Sequence, residues 1–159
     1  GFKMGMPLSD SVRDTIKKEY LMKEPRYKEV EAEIKKEWKK FGKEINSFLE
    51  LFDYPVPREV DVELISYGPG GGYTLPNKVG VMVEKQSLNT YLEQMVHEII
   101  HLIFEEPLVK KYKLNQLEKE NLVDSMFTHS KLKKLFPSHY YSLNFVMPEK
   151  SLLEKIDWR

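Results

Sequence analysis

The chain of 159 residues contains no cysteine. Disulfides and cysteine-ligated metals are therefore closed to it, and a reducing, cytoplasmic location is the expectation. It has no surplus of charge, since 25 Lys and Arg balance 25 Asp and Glu. No net field favours nucleic acid or an anionic membrane as a partner, and the interspersed Lys and Glu read as a solvated surface. The sequence lacks the run of about 20 apolar residues that a membrane span needs, and its start lacks the apolar core of a leader. Gly1-Phe2-Lys3 ahead of Met4 reads as a remnant and is left out of fold reasoning. There is no internal repeat and no low-complexity tract. The length fits a single domain, 1–159, with room for a real core.

Among what is there, one stretch stands out: Met95-Val96-His97-Glu98-Ile99-Ile100-His101-Leu102-Ile103. On a helix His97 and His101 share a face one turn apart, so each can give a nitrogen to one Zn²⁺. Glu98 sits about 100° round the helix, where its carboxylate can reach a metal-held water as a general base. Leu92, Met95, Val96, Ile99, Ile100 and Ile103 fall on an opposing arc that predicts burial. Thr90-x-x-Glu93 is a candidate capping box, and Pro107 predicts the helix end. The plain alternative is a chance pair of exposed histidines on an amphipathic helix. A third ligand decides between them.

Four sources of that ligand can be weighed. A histidine six residues past His101 is excluded, because Pro107 stands there. A cysteine is excluded outright. Glu105 lies roughly 12 Å along the axis from His97, too far for one ion on an unbroken helix. The fourth source is a second helix carrying Glu120 and Asp124, four apart on one face. Glu120 would complete the coordination, and Asp124 would accept the free N–H of a ligating histidine. A solvated helix face is the ordinary alternative for both.

His97-Glu98-x-x-His101 together with Glu120-x-x-x-Asp124 resembles the gluzincin metallopeptidases, and the short chain is more similar to their small "minigluzincin" members than to thermolysin-like enzymes. Lys119 departs from the Asn that often precedes the family's glutamate. The resemblance covers the middle of the chain. It implies a zincin-like α+β fold: a small antiparallel sheet, an active-site helix, a glutamate helix, and further N- and C-terminal helices. It also implies a peptide or protein substrate bound along an edge strand, here Lys78–Glu84 or Tyr73–Leu75. Some small gluzincins are self-blocked, and a tail with Glu149, Glu154 and Asp157 could act in that way here.

Elsewhere, a helix to about Met22, a break at Pro25 and a second helix from Tyr27 to Phe52 are expected. Val60, Val62 and Leu64 mark one half-buried strand, and Val79, Val81 and Val83 another. Tyr67-Gly68-Pro69-Gly70-Gly71-Gly72-Tyr73 joins them as a hairpin connection. It is no phosphate loop, because Gly-Lys-Ser/Thr does not follow. The glutamate helix should start at Asn115 and run to about Thr128. The expected function is zinc-dependent peptide hydrolysis with Glu98 as base. His139 and Tyr140 are the named candidates to steady the oxyanion, with Tyr73, His129 and Tyr141 beside them. The alternatives are a metal-binding regulatory or interaction module with little activity, and a plain helical scaffold. A di-iron bundle is disfavoured, since neither His129 nor His139 has Glu three residues before it.

Overall fold

A computed structural model describes residues 10–66, 70–84, 90–139 and 154. Helix α1 spans Asp10–Leu49, and strands β1 (Asp61–Ile65), β2 (Gly72–Thr74) and β3 (Lys78–Met82) follow. Helix α2 (Tyr91–Phe104) continues into a π-helical segment, Glu105–Lys110. Helix α3 (Gln116–His129) and the short α4 (Leu132–Leu135) complete the order. The expected α+β class holds at this level.

The helix break expected at Pro25 does not occur, and α1 passes through it. A proline there deletes one helical hydrogen bond. Tyr20, Leu21 and Met22, on the preceding turn, are mostly exposed, so the freed carbonyl at Leu21 faces water rather than a dry core. The packed part of α1 begins just after the proline. The Arg26 guanidinium donates to Tyr91 Oη, and Tyr27 Oη lies 2.6 Å from Ser66 Oγ. Further along, Val30, Ile34, Ile45, Phe48 and Leu49 enter the core at helical spacing. Phe52 packs edge-on against Phe104 of α2, with centroids 5.0 Å apart.

The sheet is mixed, not wholly antiparallel, and its order is β1-β3-β2. β1 and β3 run parallel, with Val62 opposite Val79. β2 runs antiparallel to β3, with Tyr73 opposite Val79. The glycine-rich connection therefore does not close a hairpin between the two valine strands. It contains a strand of its own, and β3 inserts between that strand and β1. The composition is consistent with these places: Val79, Val81, Met82 and Val83 of the central strand are buried, whereas Val62 of β1 is 40 % exposed. The first of the two expected substrate strands, Lys78–Glu84, is thus paired on both sides from Lys78 to Gly80 and with β1 as far as Met82. The second, Tyr73–Leu75, coincides with an edge.

The sheet is tied to α2 where β3 ends, by Met82 N donating to Gln94 Oε1 at 2.6 Å. α2 buries Leu92, Met95, Val96, Ile99, Ile100 and Ile103 as the periodicity predicts. It does not end at Pro107, which sits inside the π-helical segment. A widened turn accommodates a residue that lacks an N–H and crowds the preceding turn. The reversal comes later, at Lys113, whose φ of 55° is left-handed. Asn115 and Glu118 then form a reciprocal capping box that starts α3. No helix among the described residues is long and apolar enough to cross a membrane.

Candidate metal centre

α2 contributes two imidazoles to the site and α3 one carboxylate. His97 Nε2 and His101 Nε2 are 2.9 Å apart. Glu120 Oε2 lies 3.2 Å from the first and 3.1 Å from the second. Three lone-pair atoms so close exceed what hydrogen bonding alone can use, since each neutral ring has one N–H and Glu120 has none when ionised. Four ligands at 2.0–2.1 Å in a tetrahedron stand about 3.3 Å from one another. The triad comes within a few tenths of an ångström of that spacing, so these residues fit a tetrahedral ion with one position left open.

Each group's environment suits that task. Burial pushes the His101 imidazole down, against the raising effect of Glu120, which favours the neutral ring that ligates metal. Burial pushes the Glu120 carboxyl up, but hydrogen bonds to His101 and His97 outweigh it and hold the group well below the usual carboxylate range. The second oxygen, Glu120 Oε1, accepts from Gln116 Nε2 at 2.6 Å. His101 Nδ1 is buried and has no hydrogen-bond partner among the described residues.

Glu98, 8 % exposed, is set beside the triad. Burial pushes its carboxyl up to about 7; Glu120 adds to the rise, while His97 and Lys119 oppose it. An open pocket of about 570 Å³ exposes this group, lined by Gly71, Tyr73, Glu98, His101, Lys119 and Glu120 among others. The Tyr73 ring stacks on His101, with centroids 5.5 Å apart and planes 8° apart. Its hydroxyl donates to Glu105 Oε2 and accepts from Lys119 Nζ at 3.2 Å. Burial and then Glu105 push the Tyr73 phenol up, which keeps it a protonated donor. A larger groove, about 950 Å³, lies between α1 and β1. No histidine lines it, so it is not the chemical site.

Asp124 stands beside His97, but farther away than the hydrogen bond expected of a residue that accepts a ligand's N–H. Its Oδ1 is 3.7 Å from His97 Nδ1, an ion-pair distance. His139 does not reach the pocket side. Its Nε2 lies 3.2 Å from Asp124 Oδ1 and its Nδ1 bonds Glu93 Oε1, so both ring nitrogens are already taken and neither can serve an oxyanion. His97, Asp124 and His139 also lie close enough to form a second potential ligand cluster. In that cluster a hydrogen bond joins His139 to Asp124 and His97 stands at ion-pair distance from the same oxygen, so the cluster does not require an ion. Tyr140 and the tail with Glu149 and Asp157 fall outside the described residues.

Four contributors are not singled out by the sequence. Gln116 is legible only as a residue four before Glu120. Glu93 reads as half of a capping box; the Thr90 hydroxyl does accept from Glu93 N at 3.1 Å, but the carboxylate goes to His139. Gly71 is hidden in a glycine run, and Lys119 registers only as a departure from a family pattern. Comparison of the chain with protein-family models, with curated proteins and with solved structures finds no match.

Proposed function

We propose that the chain is a zinc-dependent metallopeptidase of gluzincin type, with His97, His101 and Glu120 as metal ligands. The observation that carries this reading is the convergence of the two Nε2 atoms and Glu120 Oε2 to 2.9–3.2 Å from one another, beside a buried carboxyl raised to about 7. A zincin-like fold belongs to the same proposal. A helix that presents two ligands, a second helix that presents the third and a short edge strand over the pocket are what that architecture requires.

When bound, a zinc ion supplies Lewis acidity, polarising a carbonyl and lowering the pKa of water to about 7. The chain's own groups handle protons and position. Glu98 takes a proton from water as its oxygen attacks the scissile carbonyl carbon. When the C–N bond breaks, Glu98 passes that proton to the leaving amine. An extended peptide pairs its backbone with the free edge of β2, which lays it along the pocket wall formed by Gly72, Tyr73 and Thr74. The Lys119 ammonium, which lines the pocket and has protons beyond the one it gives to Tyr73 Oη, takes the donor role first given to His139.

Metal analysis together with a peptide-library cleavage assay, on wild type and Glu98→Ala, tests the reading. Both proteins should hold one zinc, and the variant should lose at least a hundredfold in kcat/KM. Wild type that holds no stoichiometric zinc would end the proposal. Zinc bound without cleavage would leave the alternative, a metal-binding module.

A further inference from the structure

A second cluster of ionisable groups lies on the far side of His97 from the pocket, and the reaction makes no direct use of it. Glu93 is 3 % exposed, Asp124 2 % and His139 8 %. His139 stands between the two carboxylates, with Nδ1 on Glu93 Oε1 and Nε2 at 3.2 Å from Asp124 Oδ1. The same Asp124 oxygen is the one facing His97 Nδ1. The Phe127 ring covers the imidazole face to face, with centroids 4.2 Å apart and planes 5° apart. The chain of contacts thus runs Glu93, His139, Asp124, His97, and it joins α2, α3 and the segment after α4.

A ring that meets a carboxylate at each nitrogen donates twice, so it is an imidazolium. Burying one cation between two anions is expensive, and an apolar trio of the same volume would stabilise the fold as well or better. Stability alone therefore gives no reason to place these residues here. Their position does. An Asp124 carboxylate left to rotate would lose its aim at His97, and partners of this kind fix the orientation and basicity of a ligating ring.

We propose that Glu93 and His139 are positioning residues for the metal centre, acting through Asp124 on the His97 ring. This rests on the ligand role proposed for His97. It assigns to α2 a second acidic partner of the site, one turn before His97, and it couples the metal to the point where the chain leaves α4.

The test uses the full chain with Glu93→Gln and His139→Gln. Zinc affinity is measured by competition with a chromophoric chelator, and the cobalt-substituted proteins are compared by their visible absorption bands. Glu93→Gln should weaken zinc about tenfold and His139→Gln by ten- to a hundredfold, with both shifting the cobalt bands. A role limited to packing would lower the unfolding temperature of the metal-free protein while leaving affinity and spectrum unchanged, and that result in folded variants overturns the proposal. If His139→Gln does not fold, Glu93→Gln decides alone, since it keeps the shape and an acceptor oxygen.

A third readout needs no metal. Nitrogen-edited NMR of the metal-free wild type should show two protected ring N–H protons on His139, and a neutral ring with one N–H overturns the chain of contacts itself. Wild type that shows both protons but takes up no zinc would instead overturn the ligand reading, and the positioning role with it.

Discussion

Gly71 lies directly against Glu98: a Cβ built at position 71 would stand 2.6 Å from Glu98 Oε1 and 3.0 Å from the Gly80 carbonyl oxygen. The glycine is therefore a steric condition on where the proposed general base can be. Gly71→Ala should push the carboxylate aside and lower kcat/KM by ten- to a hundredfold, since small misplacements of a reacting group cost that much. Zinc content should stay at one per chain, because the atoms nearest to a Cβ at position 71 belong to Glu98 and Gly80 and not to a proposed ligand. Equal cleavage by variant and wild type would remove Glu98 from the mechanism or the close approach from the active form.

Gln116 gives a second, gentler handle. It holds Glu120 through the oxygen that faces away from the histidines. Gln116→Ala should leave the fold intact and weaken zinc binding about tenfold, the range seen when partners of metal ligands are lost. Equilibrium dialysis against a zinc buffer would measure this, with Glu120→Ala, which should abolish binding, as the reference.

The Glu98 carboxyl makes a prediction about stability as well as rate. Its folded value is about 7 against an ordinary 4.5. Between those values the folded state keeps a proton that the unfolded chain has released. Folding is therefore favoured less as pH rises through the window, and the penalty is complete above about 7. At one pKa unit per 1.36 kcal/mol this is on the order of 3 kcal/mol in the metal-free protein. Glu98→Gln carries no such charge. Urea unfolding in the presence of a chelator should show the variant gaining on wild type from pH 5 to 8. A constant difference across that range would contradict the burial argument.

Pro25 tests the long helix. It lies inside α1, where proline costs about 3 kcal/mol relative to alanine. Pro25→Ala should raise the unfolding temperature while leaving the far-UV helical signal nearly unchanged and zinc binding untouched. A marked deepening of that signal would mean that two separate helices, as the sequence alone implies, are the better description.

The local features of this protein are legible without coordinates. The buried face of α2 follows from its 3.6-residue period, and the start of α3 follows from Asn115 and Glu118, because both depend on neighbours within one or two turns. The pairing of His97 with His101 is legible for the same reason. What the sequence leaves open is everything that depends on residues far apart in the chain. Proline reads locally as a stop, yet α1 continues through Pro25 and the α2 rod through Pro107, because an exposed turn and a π-helical turn absorb the lost bond. Strand direction is also beyond local reading: the same valine pattern suits a hairpin or the parallel pair that forms. Most of all, Glu93 and His139, 46 positions apart, and Gly71 and Glu98, 27 apart, meet only because the helices and the sheet bury their apolar faces together. Spacing decides which side chains share a face; packing decides what that face meets.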